Sequence, residues 1–93
     1  MVDVISCEKD EMLTNAQIAG KTIDVSEAGM KLAMYVGVPE RARIALHLNA
    51  PFRQFNLEGE VRWLRENGEA WVGVLLDEDS TDYESWREAY ADL

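Results

Sequence analysis

One cysteine, one histidine and nine basic residues in 93 positions leave few chemistries open. Cys7, alone, forms no intramolecular disulfide and builds no thiolate zinc site, which fits a reducing compartment. His47 stands at a strand position opposite in parity to Ile44, Leu46 and Leu48, so it reads as a surface histidine and not as a metal ligand or general base. There is no glycine-rich phosphate loop, because the six glycines are dispersed as turn and bulge residues. Asp77–Asp82 with Glu88 has the outline of a calcium loop, but the sixth position, which needs glycine, is Asp82. The longest apolar run, Ala70–Leu76, is far short of the ~20 residues of a membrane-spanning helix. The first residues carry neither a basic segment nor a long apolar one, so they are not a signal peptide. These absences predict a cytoplasmic chain that is not an enzyme, holds no metal or cofactor and does not insert into a membrane.

Acids outnumber bases eighteen to nine, and the net charge of -9 disfavours a nucleic-acid polymer or an anionic membrane as partner. The imbalance is concentrated in residues 77–93, which hold seven acids and one base. The preceding stretch is nearer neutrality and leaves room for a local anion site. At 47% hydrophobic and 29% charged, the composition is that of an ordinary globular protein, and the length suits one domain over residues 1–93.

Short alternations of apolar and polar residues, separated by turn residues, dominate the pattern. Val2–Cys7 is a first strand. Ala16–Val25 is a second, whose phase changes around Gly20 and so predicts a bulge there. Met30–Val36, Ile44–Leu48 and Phe55–Trp63 follow, with breaks at Gly37–Glu40 and Asn49–Pro51. Asn67-Gly68 marks a tight hairpin turn, and Trp71–Leu76 is apolar on both parities. The period then changes to 3.6: Tyr83, Trp86, Tyr90 and Leu93 share one helical face. The expected fold is all-β, a six-stranded antiparallel barrel with one C-terminal helix covering an opening. Its core should include Ile44, Leu46, Leu48, Leu57, Val61, Trp63, Val72 and Val74, with His47, Glu58, Glu60 and Arg62 at the surface.

The segment between the second and third strands, Ile23-Asp24-Val25-Ser26-Glu27-Ala28-Gly29-Met30, stands out. Asp24 and Ser26 lie two apart and point the same way from a strand end. Asp24 accepts hydrogen bonds, Ser26 donates and accepts, and Gly29 permits backbone conformations that side chains forbid. Two readings follow: a polar turn whose side chains bond their own backbone, or a binding site.

Asp24-Val25-Ser26-Glu27-Ala28-Gly29 resembles the Asp-x-Ser-x-x-Gly motif of PilZ domains, bacterial receptors for cyclic di-GMP. Gly59-Glu60-Val61-Arg62-Trp63 is similar to the Gly-x-Val-x-Trp of a later strand in that family. Val72-Gly73-Val74-Leu75-Leu76 is similar to the strand after it, with Leu76 in place of a terminal aromatic. The resemblance covers roughly residues 2–93. It implies a six-stranded β-barrel with a C-terminal helix, a role in second-messenger signalling, cyclic di-GMP as ligand, and Asp24, Ser26 and Gly29 as ligand-binding residues. One feature departs from the family. Nucleotide-binding PilZ domains carry Arg-x-x-x-Arg before the first strand, where guanidinium groups grip phosphates and guanines. Here no two of Arg41, Arg43, Arg53, Arg62, Arg65 and Arg87 are four apart, and none precedes Val2. Either the chain is a piece of a longer protein with that pair upstream, or this member acts as an adaptor through a protein partner or attached domains. Both predict weak or absent nucleotide binding by these residues alone.

Overall fold

Period-two alternation becomes antiparallel strands along most of the chain. The structure, a computed structural model, describes residues 1–26, 28–50 and 53–91, and side chains at all of these but 50, 90 and 91. The strands are β1 (Val2–Ser6), β2 (Gln17–Ile18), β3 (Gly20–Val25), β4 (Gly29–Met34), β5 (Arg43–Ala50), β6 (Arg53–Asn67) and β7 (Glu69–Leu76). A 3₁₀ turn (Glu11–Leu13) lies between β1 and β2, and α1 (Tyr83–Ala91) follows β7. Every strand pairing is antiparallel, in the order β2-β1-β5-β6-β7-β4-β3.

Among the described residues the sheet has seven strands and its ladder does not close, where six strands and a closed barrel are expected. The cause lies in Ala16–Val25. Gln17 and Ile18 pair with β1 at one edge, and from Gly20 onward the chain pairs with β4 at the other. Ala19 alone joins the two edges, and its carbonyl accepts from Tyr35 N–H at 2.9 Å. The sheet is thus wrapped on itself by a covalent corner instead of a ladder. The predicted bulge also moves: the register shifts between Thr22 and Asp24, not at Gly20, and Ile23 is left exposed.

Ile44, Leu46, Leu57, Val61, Val72 and Val74 are buried as their alternation predicts. Leu48 and Trp63 are only half-buried. Leu48 stands near the end of β5, beside a cavity of about 390 Å³ that Phe55 and Trp86 also line. Trp63 follows a register shift between Val61 and Trp63, where the extra residue Arg62 reverses the parity and sends the indole to the outer face. Glu58 and Arg62 are exposed, while Glu60 and His47 face outward but are half-buried. Asn67-Gly68 joins β6 to β7 as predicted, with Gly68 at φ +85°, a conformation that favours glycine.

The helix covers one end of the sheet. Tyr83 and Trp86 are buried, and Trp86 meets Phe55 edge-on, with ring centroids 5.7 Å apart at 81°. The Tyr90 side chain and Leu93, placed on the same face by the sequence, lie outside the described residues, as does Pro51. Polar contacts fix the approach to the helix. Asn56 N–H donates to Asp82 Oδ2 at 2.7 Å, and the buried Ser80 Oγ accepts from Glu58 N–H at 2.9 Å while donating to the Asp77 carbonyl at 2.7 Å. Arg43 forms an ion pair with Asp77.

His47 ties three strands together on the outer face. Its Nδ1 lies 2.8 Å from Asn56 Oδ1 and its Nε2 2.9 Å from Asp3 Oδ2. With oxygen at both nitrogens, the doubly protonated ring is favoured, and the hydrogen bond to Asn56, then that to Asp3, hold the His47 pKa above its ordinary value.

Two measurements check this packing. Trp86→Ala should destabilise the chain by about 3–5 kcal/mol in denaturant unfolding, and a loss under about 0.5 kcal/mol would mean that the helix is merely appended. The raised pKa of His47 makes its stabilisation complete below the unfolded value of about 6.5 and lost as pH rises through the higher folded value. The stability advantage over His47→Gln should therefore be larger at about pH 5.5 than at about pH 8.5. An equal advantage at both would show that the imidazolium adds nothing.

Candidate functional site

The turn between β3 and β4 is closed by Ser26 N–H donating to the Gly29 carbonyl at 2.8 Å. Ser26 Oγ accepts from Gly29 N–H and donates to the Gly29 carbonyl, each at 3.2 Å. Asp24 Oδ1 accepts from Val25 N–H at 2.9 Å. Both side chains thus bond local backbone, as the polar-turn reading requires, and both are exposed. Gly29 is needed for space, not for a left-handed backbone: Gly68 is the glycine with positive φ among the described residues. A Cβ on Gly29 would come within 2.6 Å of the Val74 carbonyl oxygen of β7. The adjoining Ala28 carbonyl accepts from Leu76 N–H at 2.9 Å, so the turn is laid directly against β7.

This placement makes the turn one wall of a groove of about 400 Å³. Asp24, Ser26 and Gly29 meet there with Lys31, Arg62 and Trp63. Cross-strand pairing explains the gathering: Asp24 lies opposite Lys31, Lys31 opposite Gly73, and Gly73 opposite Trp63. The indole of Trp63 occupies the space above Gly73, where a Cβ would fall 2.1 Å from its Nε1. The Arg65 guanidinium stands 5.4 Å from the Trp63 ring centroid. Lys31 does not pair with Asp24. Its ammonium lies 5.0 Å from the Trp71 ring centroid. Arg62 Nη1 reaches Glu60 Oε1 at 3.5 Å and is the one groove cation in an ion pair among the described residues.

The groove therefore brings together an exposed carboxylate, a hydroxyl, two cations and an aromatic ring. Such a set accepts from the N–H edge of a base, donates to oxygen, offsets negative charge and stacks on a planar ring. Among the described residues no three histidine, cysteine, aspartate or glutamate side chains are placed to hold a metal ion. No helix among them is long and apolar enough to cross a membrane. All three residues that the sequence marks fall in the groove. Sequence reasoning leaves out Lys31, whose position two residues beyond Gly29 on the same strand parity is the available signal. It also leaves out Gly73, which only the β6–β7 register identifies.

The family model of the PilZ domain matches residues 5–90, a span that contains the groove and almost all of the helix. No curated protein and no solved structure matches the chain.

Gly73→Ala tests the geometry of the groove. The added methyl group collides with the Trp63 indole, so the variant should alter the near-ultraviolet circular dichroism of the tryptophans and cost about 1–3 kcal/mol of stability. The far-ultraviolet spectrum should be preserved. An unchanged near-ultraviolet spectrum would show that Trp63 does not rest on Gly73.

Proposed function

The chain belongs to the PilZ domain family, and on that footing we propose that it is a cyclic di-GMP-responsive regulatory module of bacterial signalling, cytoplasmic, working by binding and not by catalysis. The observation that carries this reading is the convergence of Asp24, Ser26 and Gly29 on one groove with Lys31, Arg62 and Trp63. In this role Asp24 accepts from the N–H edge of a guanine, and Ser26 accepts from a base N–H through its remaining lone pair, or donates to a phosphate oxygen by exchanging its 3.2 Å bond to the Gly29 carbonyl. Gly29 lays the turn against β7 and Gly73 seats the Trp63 indole, so the two glycines set the walls of the groove. Trp63 offers a face for stacking, and Lys31 and Arg62 offset phosphate charge.

Charge sets the strength of the interaction. A dianionic ligand meets a chain of net charge -9, and these 93 residues contain no Arg-x-x-x-Arg. That lack favours a second reading, in which the domain binds no nucleotide and serves as an adaptor to a protein partner or an attached domain.

Calorimetry separates the two. Residues 1–93 alone should bind cyclic di-GMP more weakly than about 1 μM. Tighter binding would show that Lys31 or Arg62 substitutes for the arginine pair. A chain extended at its N-terminus with Arg-x-x-x-Arg should bind measurably, and Asp24→Ala or Ser26→Ala in that chain should cost roughly ten- to a hundredfold in affinity. Extended chains that bind no nucleotide favour the adaptor. Binding that neither substitution alters reduces Asp24 and Ser26 to turn residues.

A further inference from the structure

The outer face of the sheet continues past the groove. Register places Lys21, Ala33, Trp71 and Arg65 in one row across β3, β4, β7 and β6, beside the row of Lys31, Gly73 and Trp63. With strands ~4.8 Å apart, the first row runs roughly 14 Å from Lys21 to Arg65. Trp71 is 37% exposed in this row, and Leu75, 47% exposed, lies beyond the second row, opposite Gly29 and Glu60 at the groove. Tyr35, 88% exposed, borders a shallow hollow with Lys21 and Ala33.

Like Arg41 and Arg53, most cations of this face form no ion pair among the described residues. Acids are twice as numerous as bases, and Lys9, Arg43 and Arg62 each pair with one. Lys21, Lys31 and Arg65 form no ion pair among the described residues. Lys31 and Arg65 rest instead on tryptophan rings, at 5.0 and 5.4 Å from the centroids. A cation on an aromatic face keeps its charge available to an incoming anion. Tryptophan and arginine are enriched at protein interfaces and often carry much of the binding energy, with charged residues such as lysine at the rim.

We infer that this face docks an acidic segment of a partner protein, with carboxylates meeting Lys21, Lys31 and Arg65 and apolar side chains covering Trp71 and Leu75. The surroundings select a polypeptide over a nucleic acid. Asp24, Glu60 and Glu69 lie in the rows around the basic one, Glu69 while accepting from Trp71 Nε1–H at 3.0 Å, and a uniformly charged polyphosphate extending past the cations would meet them. The docking face requires no bound nucleotide, and because it shares Lys31 and Leu75 with the groove, a nucleotide held there would compete with the partner.

The test is an amide NMR titration of the whole chain with a random copolymer of glutamate and tyrosine. Polyglutamate, a single-stranded DNA oligonucleotide and the chain at rising concentration are the comparisons. The copolymer should shift the amides of Lys21, Ala33, Trp71 and Arg65 and bind more tightly than polyglutamate. Trp71→Ala and the double change Lys31→Glu with Arg65→Glu should each weaken it by about tenfold or more. Lys9→Glu, on the β1–β2 connection, should leave it unchanged. Arg65→Gln serves where the double reversal does not fold. Absence of copolymer binding, or equal weakening by Lys9→Glu, would overturn the inference. So would tighter binding of the oligonucleotide, or a self-associated species that Trp71→Ala abolishes, each assigning the face to a different occupant.

Discussion

The extra residue at Arg62 is the constraint on which the groove depends. β6 serves two partners, β5 along its first half and β7 along its second. Through Val61 its inward positions follow strict alternation: Phe55, Leu57, Gly59, Val61. A further step of two would drive Trp63 into the layer where Val61 and Val72 are wholly buried, with no room for an indole. The bulge turns Trp63 outward and brings Leu64 opposite Val72. The outward indole then needs a surface to lie on, and Gly73, directly opposite, is the residue with no side chain to displace. One added residue thus supplies an aromatic wall, demands a glycine beside it, and leaves the Arg62 side chain at the edge of the same groove.

The opposite wall has the same logic of close approach. Gly29 lets β4 begin hard against the Val74 carbonyl, and the Leu76 N–H bond to Ala28 anchors the turn to a strand whose inner face is core. The backbone bond of Asp24 does not compete with a binding role, whereas Ser26 donates to a ligand only by releasing the Gly29 carbonyl. A carboxylate offers about four lone-pair positions and Asp24 uses one oxygen on Val25 N–H. Ser26 is likewise held by Gly29 while remaining exposed. The contacts that make the turn rigid also fix where its polar atoms point, which lowers the entropy to be lost when a ligand is held. The polar-turn and binding readings of the motif therefore describe one geometry.

Alternation was enough to place the buried faces of β5 and the first half of β6, and the 3.6 period was enough to place Trp86. Local pattern fails where long-range pairing decides. A two-residue strand such as β2 has no period to display, and its separation from β3 depends on which edge each half meets. Val61-Arg62-Trp63 reads as perfect alternation, so the bulge that inverts it leaves no local mark. The same division holds for the site. Asp24, Ser26 and Gly29 lie within six residues and are visible as a motif. Lys31 follows two residues on in β4, but Arg62, Trp63 and Gly73 join from two further strands, β6 and β7, so only the register shows that these share a surface with the motif.

Register also separates the charges. The acid-rich segment 77–93 runs off the end of β7 into the helix, while Lys21, Lys31 and Arg65 stay on the outer sheet face. At physiological ionic strength the net repulsion from the acids fades over a Debye length of about 8 Å. An anion that reaches the sheet face is then governed by its contacts. Exposed ion pairs alone are worth little, about 0–1 kcal/mol each. Aromatic contact does not depend on salt in the same way, and a tryptophan surface adds apolar burial that a ring of charges lacks. An anionic partner of the kind proposed for this face would therefore be held first by Trp63 and Trp71 and second by the cations laid across them.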